Sequence, residues 1–222
     1  MSFKNNQNTG SSLLSIHHCL LDCFGPMNWW PGDSALEIMV GAILTQNTNW
    51  NNVTKAIKRL KSKDLLNVKS LIKIDEQYLG QLIKSCGYYN LKAKRLKNFI
   101  SFFYQKYHGS IDLLFNNNND LFSLRGELLS VNGIGPETAD SILLYAGEKP
   151  IFVVDAYTRR IFQRHKYISS EDNYEQIQQY FMKNLPMDYK LYNEFHAQIV
   201  MLGKKYCKRN NPNCQDCPLS DF

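Results

Sequence analysis

From Leu13 onward, apolar residues recur every three to four positions, the period of a helix that buries one face. Leu13-Leu14-Ile16, Cys19-Leu20 and Cys23-Phe24 make the first such face, and the stretch Gly25-Pro26-Met27-Asn28-Trp29-Trp30-Pro31-Gly32 breaks it. Asp33 or Ser34 is placed to cap the next helix, with Glu37 three residues after Ser34 as a capping-box partner. That helix carries Leu36, Ile38, Met39, Val40, Ala42, Ile43 and Leu44, apolar nearly all round, and is expected to be buried on most sides. The same period predicts helices over 53–60, 70–74, 78–85, 91–107, 122–130, 138–146, 156–165, 171–185 and 189–203. Gly87, Gly109-Ser110 and the asparagine run at 116–119 punctuate them, the last reading as a solvated loop. Only Pro150-Ile151-Phe152-Val153-Val154 could pass for a strand, and there is no internal repeat. The fold class is therefore all-α. Residues 1–11 are polar and read as a frayed leader.

At 222 residues the chain suffices for one large domain or two small ones, with a substantial core. A net charge of +6 permits a polyanionic partner such as nucleic acid without demanding one. No apolar run approaches a membrane span, and the N-terminal segment lacks the order of a secretory signal, so a cytoplasmic location is expected, nucleoid-associated in a bacterium. The six cysteines are too few and too uneven for a disulfide scaffold. Cys207, Cys214 and Cys217 crowd together and read as a metal or cluster site, whereas Cys19, Cys23 and Cys86 lie on apolar faces and read as core.

The most specific local signal is Leu128-Leu129-Ser130-Val131-Asn132-Gly133-Ile134-Gly135-Pro136-Glu137-Thr138-Ala139. Two glycines flanking one aliphatic residue allow a sharp turn, and proline suits the first turn of the helix that follows. Such a turn presents amides at a helix N-terminus, where phosphate oxygens bind; it is equally a plain glycine corner between helices. Further on, Asp155 follows four apolar residues at a helix start, as either an N-cap or a buried carboxylate held for chemistry.

These segments, with "GAILTQNTNW", "FVVDAYTRR" and "FHAQIVMLGKKYCKRNNPNCQDC", resemble the helix-hairpin-helix DNA glycosylase superfamily and, within it, the endonuclease III branch. The resemblance runs from about Trp29 to the C-terminus. It implies two lobes flanking a DNA cleft: a six-helix barrel lobe with the hairpin over 33–149, and a discontinuous lobe of 1–32 with 150–222 that carries the cysteine loop. By the same resemblance Gly133 and Gly135 grip a phosphate, Asp155 is the catalytic aspartate at the cleft, and Gln46 lies in a loop that enters the DNA. The segment 87–94, with Lys92, resembles a second backbone-contacting turn. The partner implied is double-stranded DNA holding a damaged base.

Members of the branch that also cut the strand carry a lysine in the hairpin helix, where this chain has Glu137. A carboxylate cannot form an imine, so that lyase route is closed here. Glu137 is then either a neutral surface substitution or part of the pocket rim. Trp29, Trp30 and Pro31 form a stiff aromatic wall, and Trp50 follows the Gln46 loop. Indoles favour a flat cation such as an alkylated purine, by ~0.5–2 kcal/mol of cation–π attraction, although core packing explains tryptophans as well. "WWP…LTQNT" together with glutamate for lysine is most similar to the 3-methyladenine DNA glycosylase III subgroup. The expected activity is monofunctional excision of alkylated bases. Its rivals are an endonuclease III-like glycosylase and lyase for oxidised pyrimidines, and a DNA-binding module without turnover.

Cys207-x6-Cys214-x2-Cys217 matches three ligands of the family's 4Fe–4S loop, and the fourth would fall one residue past Phe222. A shortened chain, an outside ligand and a lost cluster all remain open. Zinc is disfavoured, because closed structural zinc also needs four ligands. Lys204, Lys205, Lys208 and Arg209 form a basic knuckle for the DNA backbone or a solvated face, and His196 reads as a packed helix residue.

Overall fold

The computed structural model describes residues 9–27, 29, 32–115 and 120–222, with side chains from Leu13 onward. Among these residues the regular structure is entirely helical. The chain divides into two compact units, one of 31–149 and one of 1–30 joined with 150–222.

The continuous unit holds α2 (Ala35–Leu44), α3 (Trp50–Ser62), α4 (Val68–Lys73), α5 (Glu76–Leu82), α6 (Tyr89–Tyr107), α7 (Ile111–Phe115), α8 (Leu121–Ser130) and α9 (Pro136–Ser141). Helix α2 is its centre: Met39 to Leu44 are all buried, and it packs on α3, α6, α9 and the turn after α9. Ser34 caps it, with Oγ accepting the Glu37 amide at 3.2 Å. The Glu37 carboxylate accepts the amide of Asp33, one residue before the cap, and pairs with Lys61 of α3 at 2.6 Å. That exchange replaces the reciprocal bond of a capping box and ties α3 to the start of α2. Helix α6 contributes Ala93, Leu96, Phe99, Ile100 and Phe103 to the core against α2, α4 and α5. After α9 the helix widens into a π-helical turn, Ile142–Ala146, whose Ile142, Leu143 and Leu144 are fully buried. The short α7 carries too few residues for its period to show in the sequence.

The discontinuous unit joins α1 (Thr9–Phe24) to α10 (Ala156–Arg164), α11 (Tyr174–Asn184) and α12 (Tyr189–Lys205). Its core is aromatic: Phe152 stacks on Phe181 at 4.2 Å, and Phe162 meets Phe181 edge-on at 4.7 Å. Offset and edge-on ring pairs add about 0.5–1.5 kcal/mol each beyond the area they bury. The apolar run 151–154 is buried yet forms no strand. Side chains of α11 bond two of its backbone groups, Gln178 Nε2 donating to Phe152 O at 2.7 Å and Tyr174 OH accepting from Val154 N at 3.2 Å. With no neighbouring strand to pair with, the segment is an extended strut that delivers Asp155 to the start of α10.

Candidate active site

The hairpin is built as the glycine spacing predicts. Helix α8 ends at Ser130, five residues turn the chain, and Pro136 opens α9. Its two glycines serve different ends. Gly133 has φ +98°, and a Cβ there would sit 2.2 Å from Cγ of Arg95, so the fold itself requires glycine. Gly135 has φ −94° and ψ 176°, which any residue adopts, and an added Cβ would meet nothing within 4 Å. Nothing inside the protein demands glycine at 135, so the bare backbone there is open to an outside group. Asp140 of α9 is fully buried and accepts two bonds from Arg125 of α8, at 2.6 and 3.1 Å, locking the helices on either side of the turn. Glu137 is exposed in the first turn of α9, where a carboxylate complements the helix dipole.

Gln46, in the loop between α2 and α3, is brought to the hairpin. Its Nε2 donates to Gly133 O and to Thr138 Oγ1, both at 3.0 Å, and its Oε1 accepts from Arg95 Nη1 of α6. Trp50 is half-buried at the first position of α3, after the Asn49 cap. Lys92 is placed otherwise than the sequence suggested. Its side chain is 1% exposed, and its ammonium donates to Leu44 O at 3.0 Å and Cys86 O at 2.7 Å. Burial pushes this ammonium below its ordinary pKa. It closes the ends of α2 and of the short helical turn Lys84–Cys86 and cannot reach a phosphate. Of the 87–94 segment, Tyr88 faces outward, 74% exposed and held at φ +45°. A bulky side chain at positive φ is uncommon and singles the turn out.

In the discontinuous unit, Asp155 is the N-cap the sequence allowed, and it is half-buried. Its Oδ1 caps α10 by accepting the Thr158 amide at 2.7 Å. Its Oδ2 lies 3.7 Å from Nε2 of His196 on α12. Burial pushes the His196 imidazole below its ordinary pKa, and the Asp155 charge pulls it partway back. His196 is thus a packed helix residue, as its position implied, and also the neighbour of the candidate carboxylate.

Trp29 is half-buried beside the C-terminal end of α12, with the Lys204 ammonium 5.4 Å from its ring centre. The cation held by this indole is therefore a lysine of the same unit. Lys205 lies over Phe24 and Tyr206, and both lysines are exposed. Trp30, Pro31 and the 116–119 asparagine run lie outside the described residues.

The cysteine loop follows α12. Cys207 and Cys217 are buried and Cys214 is exposed. Two arginines of α10 hold the loop: Arg160 Nε donates to Cys207 O at 2.9 Å, and Arg164 Nη1 to Cys207 Sγ at 3.2 Å and to Lys208 O at 2.7 Å. Burial raises the Cys217 thiol, and Cys207, Cys214 and Cys19 add to the rise. Cys19 is half-buried rather than core, its thiol donating to Pro218 O at 3.2 Å, and Cys23 is exposed; Cys86 is buried as expected. The donors suit iron or zinc in kind, but among the described residues no three His, Cys, Asp or Glu side chains are gathered closely enough to hold an ion. No described helix is long and apolar enough to cross a membrane.

An all-helical chain with a glycine turn opening a helix, and a carboxylate capping another, has the parts of a helix-hairpin-helix glycosylase. Comparison with known proteins bears this out. The profile of the HhH-GPD superfamily of base excision DNA repair proteins matches residues 40–187, and the chain belongs to that superfamily. It is 47% identical to a Methanocaldococcus jannaschii protein provisionally named a DNA repair glycosylase, over 97% of both chains. It is 29% identical to endonuclease III of Thermotoga maritima, over 83% of this chain and 80% of the relative. Among solved structures, the H. pylori 3-methyladenine DNA glycosylase bound to 1,N6-ethenoadenine superposes with a TM-score of 0.73 at 31% identity, covering 88% of this chain and 95% of that one. An endonuclease III–DNA complex shares the fold at a TM-score of 0.81 and 23% identity, covering 96% and 94%. The protein is a DNA repair glycosylase.

Proposed function

We propose that this glycosylase is monofunctional and releases alkylated, 3-methyladenine-like bases from duplex DNA. The observation that carries the reading is the pairing of chemistries: a carboxylate is present at Asp155, and the hairpin helix offers a carboxylate, Glu137, where strand cleavage would need an amine. The 31% identity to the H. pylori 3-methyladenine glycosylase supports it.

The target base is inaccessible in the stack and is flipped out before reaction. Gly133 and Gly135 hold a phosphate by their backbone, Gln46 and Tyr88 meet the DNA at the lesion, and Lys204 and Lys205 supply sequence-independent attraction. On this reading Trp50, at the start of α3, and Glu137, exposed at the start of α9, contribute to the base pocket. As the N-glycosidic bond breaks, its electron pair leaves with the base and cancels the positive charge of an alkylated ring. The sugar becomes oxocarbenium-like, and the Asp155 carboxylate stabilises that charge and orients water toward C1′. Oxygen of the water bonds to C1′ and its proton passes to the carboxylate or to solvent. A cationic leaving group needs no general acid.

We propose further that Cys207, Cys214 and Cys217 ligate a 4Fe–4S cluster together with one more ligand. Their spacing and the Arg164 bond to Cys207 Sγ support this assignment. The cluster would order the loop against α10; no catalytic step passes through it.

The decisive experiment measures base release from methylated DNA and from thymine-glycol duplex, scoring nicks before and after alkali, with borohydride trapping on abasic DNA. Methylpurine release with nicks only after alkali, and no trapped adduct, is expected. Thymine-glycol release with direct nicking and a trapped adduct would overturn the reading in favour of an endonuclease III-like lyase. Binding to damaged duplex without release of any base would favour the non-catalytic module.

A further inference from the structure

Three hydrogen bonds commit the side chain of Gln46. Both protons of its amide are used, on Gly133 O and Thr138 Oγ1, and its carbonyl oxygen accepts from the Arg95 guanidinium. Arg95 reaches it from α6 with its stem against the hairpin: a Cβ at Gly133 would lie 2.2 Å from Cγ, 2.9 Å from Cδ and 3.0 Å from Cβ of Arg95. One turn earlier on the same helix, Lys92 holds Leu44 O, two residues before Gln46, and Cys86 O, two residues before Tyr88. Helix α6 therefore fixes the Gln46 loop from its side chain and from its backbone, and ties it to the hairpin and to the Tyr88 turn.

We infer that Arg95 is a positioning residue, a strut that holds Gln46 against the hairpin so that phosphate grip and lesion-side loop meet DNA as one preorganised edge. This rests on the reading above in which Gln46 contacts DNA. The guanidinium acts through Gln46: removing it returns rotamer freedom to a glutamine that must be ordered again on binding. Ordering one flexible side chain corresponds to about a three- to tenfold loss of affinity. The alternative role, a direct phosphate contact by Arg95, makes a different and measurable claim, since each phosphate neutralised adds about 0.9 to the salt slope of binding.

The test uses the full chain and a duplex carrying a tetrahydrofuran abasic analogue with 2-aminopurine opposite. Arg95→Met keeps an apolar stem on Gly133 and removes the guanidinium. We expect affinity to fall about three- to tenfold, the 2-aminopurine signal of the distorted site to fall with it, and the slope of log Kd against log salt to stay as in the wild type. In the Gln46→Ala background the same substitution should have no further effect. A slope reduced by about one unit would make Arg95 a phosphate contact instead. Additive losses in the double variant, or unchanged affinity and fluorescence, would also overturn the strut. Should Arg95→Met fail to fold, Arg95→Leu, which also keeps an apolar stem and removes the charged guanidinium, answers the same question. The analogue carries no base, so failure of the alkyl-base reading and failure of this coupling are separate outcomes.

Discussion

The Asp155 carboxylate serves two masters within one residue of chain: Oδ1 accepts the Thr158 amide at 2.7 Å, and Oδ2 lies 3.7 Å from Nε2 of the buried His196. The capping bond fixes the rotamer, so the second oxygen is aimed by the same contact that starts α10. Structure and chemistry can then be separated by substitution. Asn caps helices as well as Asp does, so Asp155→Asn should keep the thermal midpoint while single-turnover base release falls by about a hundredfold or more. Asp155→Ala should lose both, with about 1 kcal/mol of stability gone with the cap. Near wild-type release by Asp155→Asn would remove this residue from the chemistry.

The two hairpin glycines should behave differently. Gly133→Ala meets Arg95 and a positive φ, and should destabilise by roughly 1–3 kcal/mol. Gly135→Ala has room and an ordinary backbone, so urea unfolding should change by less than about 0.5 kcal/mol. DNA affinity should nevertheless drop about tenfold or more, the scale of one hydrogen bond to a charged oxygen. Unimpaired binding by Gly135→Ala would mean that no phosphate approaches there.

Stability should decline in mild acid. The His196 and His17 imidazoles are both held below their ordinary pKa by burial, so between the unfolded value and the lower folded value the unfolded chain binds more protons. Stability is therefore full above about pH 6.5 and is lost as pH falls below it, by up to about 1.4 kcal/mol per pH unit for each histidine. Urea midpoints across that window should show the slope, and His196→Gln should remove one proton's share of it. An unchanged slope in the variant would place the proton uptake elsewhere.

Lys92 and the pair Lys204 and Lys205 can be told apart by salt. Lys204→Ala with Lys205→Ala should lower the slope of log Kd against log salt by up to about 1.8. Lys92→Met should leave that slope alone and act on folding, because the ammonium it removes leaves Leu44 O and Cys86 O without their buried donor. A salt slope reduced in Lys92→Met would contradict its interior placement.

Arg125 and Asp140 provide a stability test. Arg125→Met strands a fully buried carboxylate and should cost roughly 3–5 kcal/mol in urea unfolding. Adding Asp140→Leu should recover much of that loss, since a packed apolar pair replaces a buried ionic one at little cost.

Local order along the chain accounts for what could be read without coordinates. Helical periods, the Ser34 cap, the glycine turn with Pro136 at the next helix start, and the start of α10 at Asp155 all depend on residues within about four positions of one another. The sequence by itself therefore determined an all-α chain, its breaks and the chemical kinds of its candidate residues. Neighbours distant in sequence were decided only by tertiary structure. Lys92 stands in a segment that looks like a phosphate contact, yet α6 turns it inward onto the carbonyls at the end of α2 and before Gly87. Gln46 and Gly133 are 87 residues apart, and only the packing of α6 puts Arg95 between them. The aspartate at 155 acquires its histidine 41 residues later because α10 and α12 pack side by side. Periodicity selects which face of a helix is buried; which helix it is buried against, and so which polar groups meet, is set by the packing of the whole core.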